Sequence, residues 1–303
     1  MTNSSNGQPT TPDVVKITEN KNNGIRSVTL SRMAIGYIVR GRKFVYSDDH
    51  CTAIDEGGVF IYEAGHHYEE NIVGSSGSFE QIMFYASPAA LQRIILGLNS
   101  SYGVTYTSRH GCDTCRTGNF VAMVASPTIG DFFTSVNRSL HKTGFQHNDV
   151  GQRIKLNELI YLILSGEECC LRSKLLHGAD TVGEQFAQVI QANLFNDISI
   201  EELARLTNRS LTSFKKEFRR RFNTPPHKWL IAQRLNRAKI LLLSTSKTIS
   251  EVGAECAFSN ISHFIKLFKS RFHATPAAYR QQYTASHSHP EQSTDTVRHA
   301  SGE

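Results

Sequence analysis

The chain has 303 residues, 39% hydrophobic and 20% charged, with a net charge of +6 at pH 7. That length allows two domains with separate cores, and the composition excludes a disordered or fibrous chain. No apolar run approaches the ~20 residues that span a bilayer, and Met1 to Pro12 has no charged start followed by an apolar stretch, so no membrane partner is expected and the expected location is the cytoplasm.

Taken in order, residues 1–24 are polar and read as a disordered tail, as do residues 284–303 at the other end. From Ile25 to Ala86 short β-type runs alternate with Gly and Asp: RSVTLSR, AIGYIVRGRKFVY, DEGGVFIYEAG and FEQIMFYA. Arg40-Gly41 and Asp55 to Gly58 carry hairpin-turn chemistry, which predicts an antiparallel sheet closing into a small barrel.

Helical periodicity begins at Ser87. Ser87-Pro88 offers an N-cap with Pro at the first helical position, and Leu91, Ile94, Ile95 and Leu98 then fall on one face. Ser126-Pro127 repeats the device for a segment through about Leu140. A third segment, Asp149 to Leu164, carries Ile154, Leu156, Leu159, Ile160, Ile163 and Leu164, a stripe broad enough for both a core and a partner helix. A domain boundary is expected at Gly178, giving a sensing or dimerisation domain over 25–178 and a second domain over 179–283.

The second domain is where the positive charge sits. Ile198 to Tyr283 holds 16 Lys and Arg against 5 Glu and no Asp, a balance of +11, whereas the remainder carries −5. Such a segment favours a polyanionic partner. It also contains a repeat: SLTSFKKEFRRRFNTPPHKW returns fifty residues later as NISHFIKLFKSRFHATPAAY, with Phe214, Phe218, Phe222 and Pro226 answered by Phe264, Phe268, Phe272 and Pro276.

Phenylalanines at i, i+4 and i+8 lie on one side of a helix and are core-forming. The opposite side presents Thr212, Ser213, Lys215, Lys216, Arg219 and Arg220 in the first copy and Ser262, His263, Lys266 and Lys269 in the second. Upstream, Ser199-Ile-Glu-Glu202 and Thr248-Ile-Ser-Glu251 both fit the capping box. Their offset is 49 rather than 50, so the second copy carries one extra residue in its turn. Each copy is predicted to be a capped helix, a tight turn and a basic helix, a helix-turn-helix.

At these residues the chain resembles the AraC/XylS family of bacterial transcription regulators. The family's second-motif pattern is answered by Ile249, Gly253, Ala257-Phe258, His263-Phe264, Phe268-Lys269, Thr275-Pro276 and Tyr279-Arg280, and WLIAQRLNRAKILLLSTS resembles its connector helix. Ala257 and His273 stand where the family usually has Gly; Ala at positive φ costs on the order of 1 kcal/mol. The resemblance covers about 181–282 and implies binding to double-stranded DNA, with Thr212, Lys215 and Lys216, then Ser262, His263 and Lys266, facing the bases. Lys donates to guanine O6 or N7, whereas Ile265 can meet only a thymine methyl. Arg209, Arg219, Arg220 and Lys269 are assigned to phosphates, and Arg234 and Arg237 to structural roles in the connector.

The resemblance further implies a cupin-like β-barrel and helical pair before the DNA-binding domain, an α+β chain overall, acting as a homodimeric activator that contacts RNA polymerase and answers a small-molecule or protein effector. An N-terminal domain that only docks a protein is the alternative. Gly65-His66-His67-Tyr68-Glu69 has cupin-type ligands in the wrong spacing, since adjacent strand residues point to opposite faces. Cys112-x-x-Cys115 with His110 allows zinc, a redox pair or plain thiols, of which plain thiols are the default in a reducing compartment. No paired acid and base, nucleophile elbow or phosphate loop stands in the sequence, so neither catalysis nor a cofactor or metal is expected.

Overall fold

The computed structural model describes residues 14–47, 51–103, 119–141, 149–167, 169–179 and 181–286. Contacts divide the chain into two compact units, 1–233 and 234–303.

Among the described residues, nine strands form two antiparallel sheets. β1 (Val14–Glu19), β3 (Met33–Arg40), β6 (Gly58–Tyr62), β8 (Phe79–Ala86) and β9 (Phe120–Val124) make a five-stranded sheet in the order β1-β8-β3-β6-β9. β2 (Arg26–Leu30), β4 (Arg42–Tyr46), β5 (Cys51–Ile54) and β7 (Gly65–Ile72) make a four-stranded sheet in the order β2-β7-β4-β5.

Period-2 alternation sorts the side chains of the larger sheet. Ala34, Ile38, Phe60, Tyr62 and Met83 join Val45 and Ile54 of the smaller sheet in one core, while Ile35, Val59, Ile61, Ile82 and Phe84 face the helices. Strand β6 is buried at all five positions because it is covered on both faces.

Three expectations are corrected. Residues 14–24 do not belong to a structureless tail: Val14 to Glu19 pairs along its whole length with Phe84 to Phe79 of β8. β9 escaped the reading because its five residues interrupt a helical stretch. Arg40-Gly41 and Asp55 to Gly58 are not hairpin turns, since β3 and β4, and likewise β5 and β6, belong to different sheets. Gly41, at φ +85°, turns that corner where a Cβ would stand 2.6 Å from the Ile72 carbonyl oxygen.

The helices begin where expected. α1 (Pro88–Tyr102) is capped by the Ser87 hydroxyl, which accepts from Ala90 N at 3.2 Å. α2 (Pro127–Leu140), α3 (Asp149–Ser165) and α4 (Cys169–Gly178) follow it. On α3, Leu156, Leu159, Ile160, Ile163 and Leu164 are buried, but Ile154 is 59% exposed, with Val150 and Tyr161 beside it on the outer face.

The remaining helices are α5 (Thr181–Ala192), α6 (Ile200–Leu206), α7 (Leu211–Phe222), α8 (Pro226–Ser244), α9 (Ile249–Glu255), α10 (Ile261–Phe272) and α11 (Pro276–Ser286). The division between the units falls inside α8.

Candidate nucleic-acid interface

Both capping boxes form. Ser199 Oγ accepts from Glu202 N at 3.1 Å while Glu202 Oε2 accepts from Ser199 N at 3.0 Å; Thr248 and Glu251 repeat this at 3.2 and 2.7 Å. These bonds hold both glutamate pKa values below the ordinary range. Each box starts a seven-residue helix that ends in a turn closed by one matched bond: Arg209 N to Ala204 O, and Phe258 N to Gly253 O, both 3.0 Å.

The turns differ by one residue. Asn208 (φ 52°) and Ala257 (φ 57°) occupy the same left-handed position, so the extra residue of the second copy is Ser259. Ala257 therefore carries the strain expected of it, as does His273 (φ 59°), which matches Asn223 (φ 49°) at the end of the second helix. Arg234 Nη1 donates to the Ala257 carbonyl at 3.1 Å and Arg237 pairs with Glu255 at 3.0 Å, so both connector arginines have structural contacts.

Helices α7 and α10 start at Ser210, which accepts from Ser213 N, and at Asn260, which accepts from His263 N. In α7, Phe214 and Phe218 are fully buried and Phe222 half-buried, in a core with Phe186, Ile190, Leu203 and Leu230. Phe218 stands 4.4 Å from Phe222 and 5.6 Å from Trp229. In α10, Phe268 stands 4.6 Å from Phe272 and 5.7 Å from Tyr279, the residue matching Trp229.

Anchoring the aromatic side leaves the opposite side outward. Thr212, Lys215, Lys216, Arg219 and Arg220 are exposed on α7, and Ser262, His263, Lys266 and Lys269 are exposed on α10. Lys215, Lys216 and Arg219 come together along a groove that also touches Ile200, Pro226 and His227. Arg209 stands apart: it is half-buried, its guanidinium 5.1 Å from the Phe186 ring, with Nη1 donating to Thr207 O at 3.0 Å.

One residue of the face escaped the sequence reading. Glu217 accepts from Arg220 Nη2 at 2.7 Å and from Arg221 Nε at 2.8 Å, and chiefly the Arg220 hydrogen bond holds its carboxyl at about 2. The i, i+3 and i, i+4 spacing of an acid among arginines is the signal that could have found it.

In the N-terminal sheets the adjacent histidines diverge as strand geometry requires. His66 is half-buried with Nδ1 2.8 Å from Thr29 Oγ1, whereas His67 is buried and stacked 4.2 Å from Tyr62. Burial pushes the His67 pKa down to about 4. Among the described residues no group of three or more His, Cys, Asp or Glu could hold a metal; His110, Cys112 and Cys115 lie outside those residues. Among the described residues, too, no helix is long and apolar enough to cross a membrane.

Residues 203–282 match a family described as a helix-turn-helix domain. The chain is similar to the HTH-type transcriptional regulator ExsA of Pseudomonas aeruginosa, 23% identical over 211 residues that cover 69% of this chain and 73% of ExsA. It is also similar to the HTH-type transcriptional regulator ArgR of the same organism, 31% identical over 98 residues, which are 32% of this chain and 30% of ArgR. Among solved structures, the DNA-binding domain of the global transcriptional factor AdpA in complex with a target DNA aligns with 35% of this chain and 98% of that one, at 28% identity and a TM-score of 0.34.

Proposed function

The C-terminal region being an AraC-type helix-turn-helix domain, we propose that this chain is a sequence-specific transcription regulator that places α7 and α10 in adjacent major-groove segments of double-stranded DNA. The observation that carries the reading is the doubled arrangement of exposed cationic and short polar side chains over a buried Phe ladder. Thr212, Lys215, Lys216, Ser262, His263 and Lys266 face base edges, and Arg219, Arg220 and Lys269 face phosphates. Arg209 has a smaller phosphate role, because part of its hydrogen-bonding capacity is taken up by Thr207 O. The domain over 179–283 carries DNA binding, and the domain over 25–178 carries control.

The regulator acts as a non-enzymatic cytoplasmic activator that contacts RNA polymerase, and its N-terminal domain governs dimerisation or the response to an effector. The exposed Val150, Ile154 and Tyr161 on α3 support a dimer, because an outer apolar stripe on a helix is the form a partner helix fits. Footprinting on genomic target sites tests the reading: protection is expected in pairs one helical turn, ~10 bp, apart. Single isolated protections would overturn the tandem geometry.

A further inference from the structure

Within the described residues the space between the two sheets is filled. Phe60, Tyr62 and Phe79 occupy it together with Lys43, whose ammonium lies 5.7 Å from both the Phe60 and Phe79 ring centroids and 2.6 Å from Glu69. Open volume is found instead at one edge of the first unit, in a cavity of about 550 Å³. Its walls come from Leu30 and Met33 on one side, from the corner Glu63 to His66 between β6 and β7, and from α4, α5 and Arg221 of α7. An occupant would touch both the sheets and the last turn of a base-reading helix.

The walls also state what kind of occupant fits. The formally charged groups lining the cavity are already matched: Glu63 Oε1 accepts from Lys174 Nζ at 2.9 Å and faces His177 Nδ1 at 3.3 Å, and Arg221 pairs with Glu217. A charged ligand would have to compete with these pairs for the same partners and lose its own hydration in doing so, which favours an uncharged one. The rest of the described lining is largely apolar, with Thr29, Ser31, His66 and Gln191 as its other polar groups. Gly65 makes room for one of them, since a Cβ there would stand 3.2 Å from Gln191 Cδ.

We infer that this cavity binds an uncharged, largely apolar small molecule carrying one hydrogen-bonding group, read by the polar set around Gln191. Its volume lies in the ~300–1,000 Å³ range of small-molecule sites with few, placed polar groups. The inference rests on the effector reading above and assigns that effector a place at this edge.

The test uses the full chain without DNA, titrated with N-phenyl-1-naphthylamine as an uncharged probe and 1-anilinonaphthalene-8-sulfonate as its anionic counterpart. Saturable binding of one equivalent of the neutral dye is expected, at least about ten-fold tighter than the sulfonate. Ala187→Phe, which fills the cavity, is expected to weaken the neutral dye about ten-fold or more, and Gln191→Leu by a smaller factor. Ala192→Trp, at an exposed position on the rim, serves if Ala187→Phe does not fold. Absence of saturable binding, a sulfonate bound as tightly as the neutral dye, or affinity unchanged in the folded filling variant and in Gln191→Leu would each overturn the inference. A separate DNA titration of the unaltered chain keeps failure of the regulator reading distinct.

Discussion

The two helix-turn-helix copies agree where they are buried and differ where they are exposed. Phe214, Phe218 and Phe222 match Phe264, Phe268 and Phe272, and both helices that precede them start in a capping box. On the outer side Lys215 answers Ile265, Glu217 answers Leu267 and Arg220 answers Ser270. Close packing tolerates little change of shape, so the aromatic side keeps its spacing, whereas an exposed side chain is constrained mainly by what it meets in solution. The turns show an intermediate case: Arg209 lies over Phe186, a ring 5.4 Å from Phe214, while its counterpart Phe258 packs 5.0 Å directly against Phe264, the first Phe of the second ladder.

The ladders give the largest effect. Phe218→Ala and Phe268→Ala each remove a ring with no solvent exposure and should cost about 3–5 kcal/mol, seen as a loss of helix or a lowered denaturation midpoint. Lys216→Ala and Lys269→Ala, at exposed positions, should stay within about 0.5 kcal/mol. Equal costs for buried and exposed positions would erase the distinction between scaffold and proposed reading face.

On DNA the same faces separate again. Lys266→Ala should relax specificity at one site position, costing about 1–3 kcal/mol on the best site and little on random sequence. Arg220→Ala should weaken all sequences alike and reduce the salt slope by about one. Titrations on specific and random duplexes at several salt concentrations read both, and identical behaviour of the two variants would reject the division between bases and phosphates.

Strain distinguishes the turns by a smaller amount. Ala257 at φ 57° should gain up to about 1 kcal/mol on Ala257→Gly, whereas Asn208→Gly at φ 52° should change stability by only a few tenths, because Asn tolerates the left-handed region. Chemical denaturation of the two variants checks this, and a destabilised Ala257→Gly would mean that the Ala methyl contributes packing that outweighs the strain.

The tandem unit is legible in sequence because its signals are local and doubled: caps at fixed offsets, a 3.6-residue aromatic ladder and one misfit in the register of the repeats. The N-terminal sheets are legible as strands but not as an arrangement. The chemistry of a Gly at positive φ is the same at a hairpin and at a corner between sheets, and only the partners of β3 and β4 decide which Gly41 serves. β1 is hidden for a related reason, since VVKITE gains its order from pairing with β8, sixty to seventy residues away. The cavity at Gln191 has no sequence signal, because Glu63, Lys174 and Arg221 meet around it only after folding.

Glu217 offers the finest test of how the two proposed reading faces differ. It takes hydrogen bonds from Arg220 and Arg221, so the first face is less cationic than its composition suggests, while Leu267 leaves the second face without such a brake. Glu217→Gln keeps the shape and removes the charge; it should tighten binding to random and specific DNA alike by a few-fold and steepen the salt dependence. Its pKa is depressed, so its ionised state and the stabilisation that goes with it are present above the unfolded value of 4.5 and fade only as pH falls toward about 2. Glu217 titration should therefore add no pH dependence to DNA binding between about pH 6 and 8. A Glu217→Gln variant that weakens binding would instead show that the carboxylate aims Arg220 and Arg221 at the phosphates, making it part of the reader rather than a brake on it.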